Sequence, residues 1–107
     1  MTEAINSELT KSKSFDIVTH PNGIFRLEYN KWIAILHLKE MSQLTPTVYR
    51  WAVDKVNEIA DFTQEMGYPI LHAAIPEDNI VVNKMILRVG FVYKDTLDGY
   101  NMYERNY

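Results

Sequence analysis

Asn79-Ile80-Val81-Val82-Asn83-Lys84-Met85-Ile86-Leu87-Arg88-Val89-Gly90-Phe91 decides how this chain is read. It has the pattern of an amphipathic helix. The acids of Pro76-Glu77-Asp78-Asn79 stand before its positive end, and Gly90 stands at its close. Before it, Ile70-Leu71-His72-Ala73-Ala74-Ile75 reads as a buried strand. After it, Phe91 to Leu97, an Asp98-Gly99 turn and Tyr100 to Glu104 read as a hairpin.

Further towards the N-terminus, Leu44-Thr45-Pro46 begins a long helix. Thr45 caps its first free amides, and Pro46 takes a position where no N–H is needed. Val48, Ala52, Val56, Ile59 and Met66 lie near one stripe, with Trp51 and Phe62 beside it, and Gly67 caps the end. Pro21-Asn22-Gly23 is turn chemistry. Ile24-Phe25-Arg26-Leu27-Glu28-Tyr29 alternates with period 2, as a strand with one wet side does. Asn30-Lys31 turns the chain into Trp32-Ile33-Ala34-Ile35-Leu36-His37-Leu38, a run apolar on both faces and expected in the sheet interior. Residues 1–14 are polar and aperiodic and are expected to be a flexible arm, with residues 15–107 forming one domain around Trp32, Trp51 and Phe62. The expected class is α/β (α+β), a mixed central sheet in the order β-β-α-β-α-β-β.

Composition narrows the function. With 47% hydrophobic and 23% charged residues the chain is an ordinary globular protein. A formal charge of −3 and the lack of dense Lys/Arg clusters argue against a nucleic-acid backbone as partner. Without cysteine there is no disulfide framework, thiolate metal site or thiol nucleophile. His20, His37 and His72 have no metal-ligand spacing, so no metal is expected. No apolar run approaches the roughly 18 residues that span a bilayer, and no signal-peptide core is present, so the protein is expected to be cytoplasmic on synthesis, with no export of its own.

The quoted stretch resembles the N-x-x-A-x-x-x-Y-x-x-x-G-F run of Gcn5-related N-acetyltransferases (GNATs). With Gly67-Tyr68, Asn79, Gly90-Phe91 and the terminal hairpin, the resemblance covers residues 23–104, the later half to two-thirds of that fold. It implies a truncated acyl-CoA N-acyltransferase-like domain with three departures. The tyrosine that protonates the departing thiolate of coenzyme A is replaced by Ile86, which has no proton to give. The family's phosphate loop, Q/R-x-x-G-x-G/A, corresponds to Ser42-Gln43-Leu44-Thr45-Pro46-Thr47-Val48-Tyr49-Arg50, which holds no glycine. The strand and two helices that wall the family's acceptor site have little room before Gly23. The sequence also resembles the small GNAT-like internal virion proteins of short-tailed bacteriophages, which carry an aliphatic residue at the tyrosine position.

These departures favour a non-catalytic, acetyltransferase-like protein that binds another protein, in a phage particle or against a host target, with no cofactor. A homo-oligomer whose missing strands come from a symmetric partner is a further reading. Tyr100, Tyr103 and Tyr107 with Met102 supply interface-type residues at the C-terminus. The alternative is a small divergent N-acetyltransferase. Acetyl-CoA would then lie in the splay between residues 36–39 and 71–74. The resemblance implies cofactor contacts at Leu38, Gln43, Thr47, Arg50 and Asn79 and catalytic roles for Tyr103, Tyr93 and Glu77. His37 and His72, on central strands, are candidate neighbours across the sheet.

Overall fold

A computed structural model describes residues 12–106. Its strands are β1 (Lys13–His20), β2 (Gly23–Tyr29), β3 (Ala34–Met41), β4 (Ile70–Pro76), β5 (Val92–Leu97) and β6 (Tyr100–Asn106). The helices are α1 (Pro46–Glu65) and α2 (Ile80–Arg88). The sheet runs β1-β2-β3-β4-β6-β5, with β3 and β4 parallel and every other neighbouring pair antiparallel. The mixed sheet with two helices is the expected architecture, extended by one strand at the front. Residues 1–11 of the expected arm lie outside the described residues, whereas Lys13 and Ser14 already belong to β1.

Both helices start and stop on local chemistry. Thr45 Oγ1 accepts from the Val48 amide at 3.2 Å, and Asn79 Oδ1 accepts from the Val82 amide at 3.3 Å. At the end of α1 the Gly67 amide donates to the Gln64 carbonyl and the Tyr68 amide to the Thr63 carbonyl. At the end of α2 the Gly90 amide donates to Leu87 and the Phe91 amide to Ile86, the same paired closure. The β5–β6 hairpin turns at Asp98 and Gly99, with φ of 53° and 83°, the double positive φ that matches the twist of the strands.

The crossovers β3-α1-β4 and β4-α2-β5 step the same way across the sheet, so the usual hand puts both helices on one face. Cross-strand register confirms it. Phe25 faces Leu38, Leu27 faces Leu36, Leu36 faces Ala73 and Ala73 faces Tyr103, and all join one buried cluster with Ala52, Val56 and Ile59 of α1 and Val82, Met85 and Ile86 of α2. Burying each large side chain there stabilises the fold by roughly 1.5–3 kcal/mol.

The expected core needs correction. Trp32 is 63% exposed, Phe62 44% and Met66 50%, and Trp51 is only half-buried. Asn30 Oδ1 accepts from the amides of Trp32 and Ile33 at 2.7 and 2.9 Å, which extends the turn and delays β3 until Ala34. The indole therefore stands in the turn, under the Lys31 ammonium at 5.7 Å. Nor is β3 dry on both sides: Ala34, Leu36 and Leu38 are buried while Ile35 and His37 are half-buried on the face without helices.

Candidate functional site

The parallel β3–β4 ladder pairs Ala34 with Leu71, Ile35 with His72, Leu36 with Ala73 and His37 with Ala74, and then stops. β3 continues to Met41 and β4 to Pro76, so the strands part at their carboxyl ends, the place where α/β sheets bind ligands. A concavity lies beside the opening on each side of the sheet.

On the open face, a pocket of about 420 Å³ is lined by Arg26, Glu28, His37, Lys39, Ala74 and Tyr100, among others. Register builds it: Asp16, Arg26, His37 and Ala74 form one row across β1 to β4. Arg26 Nε donates to Asp16 Oδ1 at 3.1 Å, and Lys39 Nζ stands 3.9 Å from Asp16 Oδ2. His37 Nε2 lies 2.9 Å from Glu28 Oε1, and Ser12 Oγ donates to Glu28 Oε2 at 2.9 Å. The His37 hydrogen bond, then that of Ser12, hold the Glu28 carboxyl below its usual value. His72 lies one diagonal step from His37, because Ile35 is its partner, and both imidazoles are on this face. Burial pushes the His72 imidazole down, opposed by Glu104 3.8 Å away. A carboxylate-held imidazole can accept a proton at its other nitrogen. Ser14, which also lines the pocket, sits on β1, two strands from His37.

On the helix side, Met41, Ser42, Gln43 and Leu44 face Asn79, Val81 and Val82 across a cleft of about 250 Å³. Ligand pockets more often hold roughly 300–1,000 Å³. Gln43 and Asn79 thus meet at one cleft, with the Asn79 side chain engaged in capping α2. Thr47 and Arg50 are exposed on α1 outside its lining, and Leu38 is buried at the strand opening. The backbone that feeds α1 does not form a phosphate cradle. The Ser42 amide donates to Asn22, Thr45 to Gln43, Val48 to Thr45 Oγ1 and Tyr49 to the Thr45 carbonyl, while Pro46 has no N–H. Among the described residues positive φ occurs at Gly67, Gly90, Asp98 and Gly99 alone, so residues 42–50 lack the left-handed residue from which an amide nest is made.

Tyr103 is 3% exposed, and its hydroxyl donates to Asn83 Oδ1 at 2.5 Å. Burial pushes that phenol up. Asn83 also takes the Asn101 amide at 3.1 Å and donates to the carbonyls of Pro76 and Asn79, so Tyr103 is part of a network tying α2 to the hairpin. Tyr93 packs edge-on against Tyr103 with ring centroids 5.9 Å apart and bonds Thr96 at 2.6 Å. Glu77 is exposed at the end of β4, outside the lining of both concavities. Ile86 is fully buried in the core. Tyr107 lies outside the described residues. No group of three or more potential metal-ligating side chains occurs among the described residues. No helix among them is long and apolar enough to cross a membrane. Sequence reading missed Arg26, Glu28 and Lys39 as a group. The wet side of β2 was legible, but the neighbours that gather on it required the register.

Two solved structures share this architecture. A GNAT-family acetyltransferase from Listeria monocytogenes superposes with a TM-score of 0.56 at 20% identity, over 70% of this chain and 43% of its own. The PaiA N-acetyltransferase of Thermoplasma acidophilum, solved in complex with coenzyme A, superposes with a TM-score of 0.61 at 15% identity, over 99% of this chain and 68% of its own. The chain therefore spans under half the length of the first and about two thirds of the second. No family model matches the chain, and no curated protein does. The likeness establishes a GNAT-like acetyltransferase fold.

Proposed function

We propose that this domain keeps the acetyltransferase architecture without the transfer reaction and acts by binding another protein. The observation that carries the reading is the backbone entering α1: the amides of Ser42, Thr45, Val48 and Tyr49 are committed, Pro46 has none, and these residues lack the left-handed turn of a diphosphate cradle. Two further observations support it. Ile86 is sealed in the core, and the Tyr103 hydroxyl is engaged with Asn83, so neither position presents a proton donor to the strand opening. The setting, a phage particle or a host target, rests on the sequence resemblance alone.

Acetyl-CoA tests it. A ligand at about 100 times its dissociation constant stabilises a protein by roughly 2.7 kcal/mol, worth roughly 10 °C or more in a domain of this size. The expected shift with acetyl-CoA or coenzyme A is nil, and a clear rise of the melting temperature overturns the reading.

One observation favours a divergent N-acetyltransferase instead: the strands part beside a pocket holding the His37–Glu28 pair. On that reading Gln43 and Asn79 contact the cofactor from the helix side, and acetylation of amines is detectable and falls in Arg50→Ala or Tyr103→Phe. The absence of turnover over a broad amine panel removes it.

A further inference from the structure

We infer that His20 is a proton-sensitive latch on the β1–β2 turn, and that its protonation loosens the wall of the helix-side cleft built by Met41, Ser42 and Gln43. The Asn22 amide donates to His20 Nδ1 at 3.0 Å. A backbone N–H can only donate, so Nδ1 is the unprotonated nitrogen and the ring is the neutral Nε2–H tautomer. Protonation makes donors of both ring nitrogens and sets two N–H groups against each other. Imidazole is the side chain whose charge changes between about pH 5 and 8.

The ring is held in place for that change. It stacks on Trp51 with centroids 4.8 Å apart and planes 32° apart, and an indole face attracts a cation. Protonation therefore keeps the ring on Trp51 while removing its acceptor. From α1, Lys55 and Glu58 line the same groove as His20, and they are paired with each other at 3.0 Å. From β3 comes Glu40, whose carbonyl abuts Gly23, and the turn residues Pro21, Asn22 and Gly23 carry no ionisable side chain. Asn22 joins the latch to the cleft, because its N–H goes to His20 while its carbonyl accepts from the Ser42 amide at 2.9 Å. Gly23 packs so closely on β3 that a Cβ there would meet the Glu40 carbonyl at 2.8 Å. The turn thus braces the end of β3 where it becomes the cleft wall. The latch operates whether or not the domain transfers acetyl groups.

Amide hydrogen exchange and nitrogen-15 spectra of the imidazoles, both on the full chain, test this. At about pH 8 His20 should show the Nε2–H tautomer. From about pH 8 to 5 the protection factor of the Asn22 amide should fall roughly 2- to 10-fold, the worth of one neutral hydrogen bond, and that of Ser42 should fall with it. His20→Asn offers an oxygen to the same N–H two residues on and does not titrate, so it should keep both amides protected throughout. His20→Ala should leave both weakly protected at either pH. His20 is exposed, so both variants should keep the wild-type far-UV dichroism. The Val82 amide, capped by Asn79, should not respond. An Nδ1–H tautomer at pH 8, an Asn22 amide indifferent to pH, or an equal fall in His20→Asn overturns the latch. A Ser42 amide that stays fixed while Asn22 loosens overturns its link to the cleft.

Discussion

Phe25 and Arg26 are adjacent in sequence but belong to different surfaces. Phe25 is fully buried against Trp51, with ring centroids 5.5 Å apart, in the cluster that α1 and α2 cover. Arg26 points the other way, to a face on which neither described helix packs, where Asp16, Glu28, His37, Lys39, His72 and Glu104 are tied in ion pairs and hydrogen bonds. The helix face carries nearly all of the packing that defines the fold. The open face contributes little stability, because pairs as exposed as these are worth about 0–1 kcal/mol each. An alternating strand can therefore hold its fold on one side and vary its chemistry on the other.

The largest effect should separate those two neighbours. Phe25→Ala is expected to cost about 3–5 kcal/mol in urea denaturation, through lost burial and the cavity left behind. Arg26→Ala should stay within about 0.5 kcal/mol. Comparable losses would show that the open face is covered in solution. Next in size is Ile86→Tyr, which restores the residue the sequence resemblance expects. Ile86 has no exposed surface, so the larger ring should overpack the core and cost about 1–3 kcal/mol. Acetyl transfer gained without that loss would mean that the position reaches the strand opening after all.

The same contrast explains what the sequence could disclose. β2, the cap at Thr45, the glycine-ended helices and the Asp98-Gly99 turn rest on local rules, and each was legible. β1 was not, because its bulge breaks the alternation: Phe15 and Ile17 keep period 2, then Val18 falls on the same face. Trp32 misled because hydrophobicity suggested core while Asn30, two residues earlier, captured its amide in a turn. The open-face cluster was invisible as a unit, since Glu28, His37, His72 and Glu104 come from four strands aligned only by tertiary register.

Tyr103 sharpens the comparison on a smaller scale, as a polar group on the helix face. Tyr103→Phe removes the bond to Asn83 Oδ1, but the Asn101 amide still serves that oxygen at 3.1 Å. The acceptor is not orphaned, so the loss should be about 1 kcal/mol by chemical denaturation. A loss of several kcal/mol would reveal a network that fails as a whole when one member is removed.

The smallest effect belongs to the open face and is read against pH. Burial depresses the His72 imidazole below its ordinary 6.5, and Glu104, shared with Lys94 at 3.6 Å, offsets this only in part. The unfolded chain then binds a proton that the folded chain resists. Stability attributable to His72 is complete above about pH 6.5 and declines as the pH falls through the lower, folded value. Glu28 behaves alike in a separate window: its carboxyl is held below the ordinary 4.5, chiefly by His37, so its contribution is lost only under more acidic conditions. Within the His72 window, above that of Glu28, His72→Gln should flatten the fall of melting temperature with pH, whereas Glu28→Gln should leave it in place. If His72→Gln keeps the wild-type slope, the imidazole is solvated like any surface histidine, and the open face lacks even the partial burial that distinguishes it from bulk water.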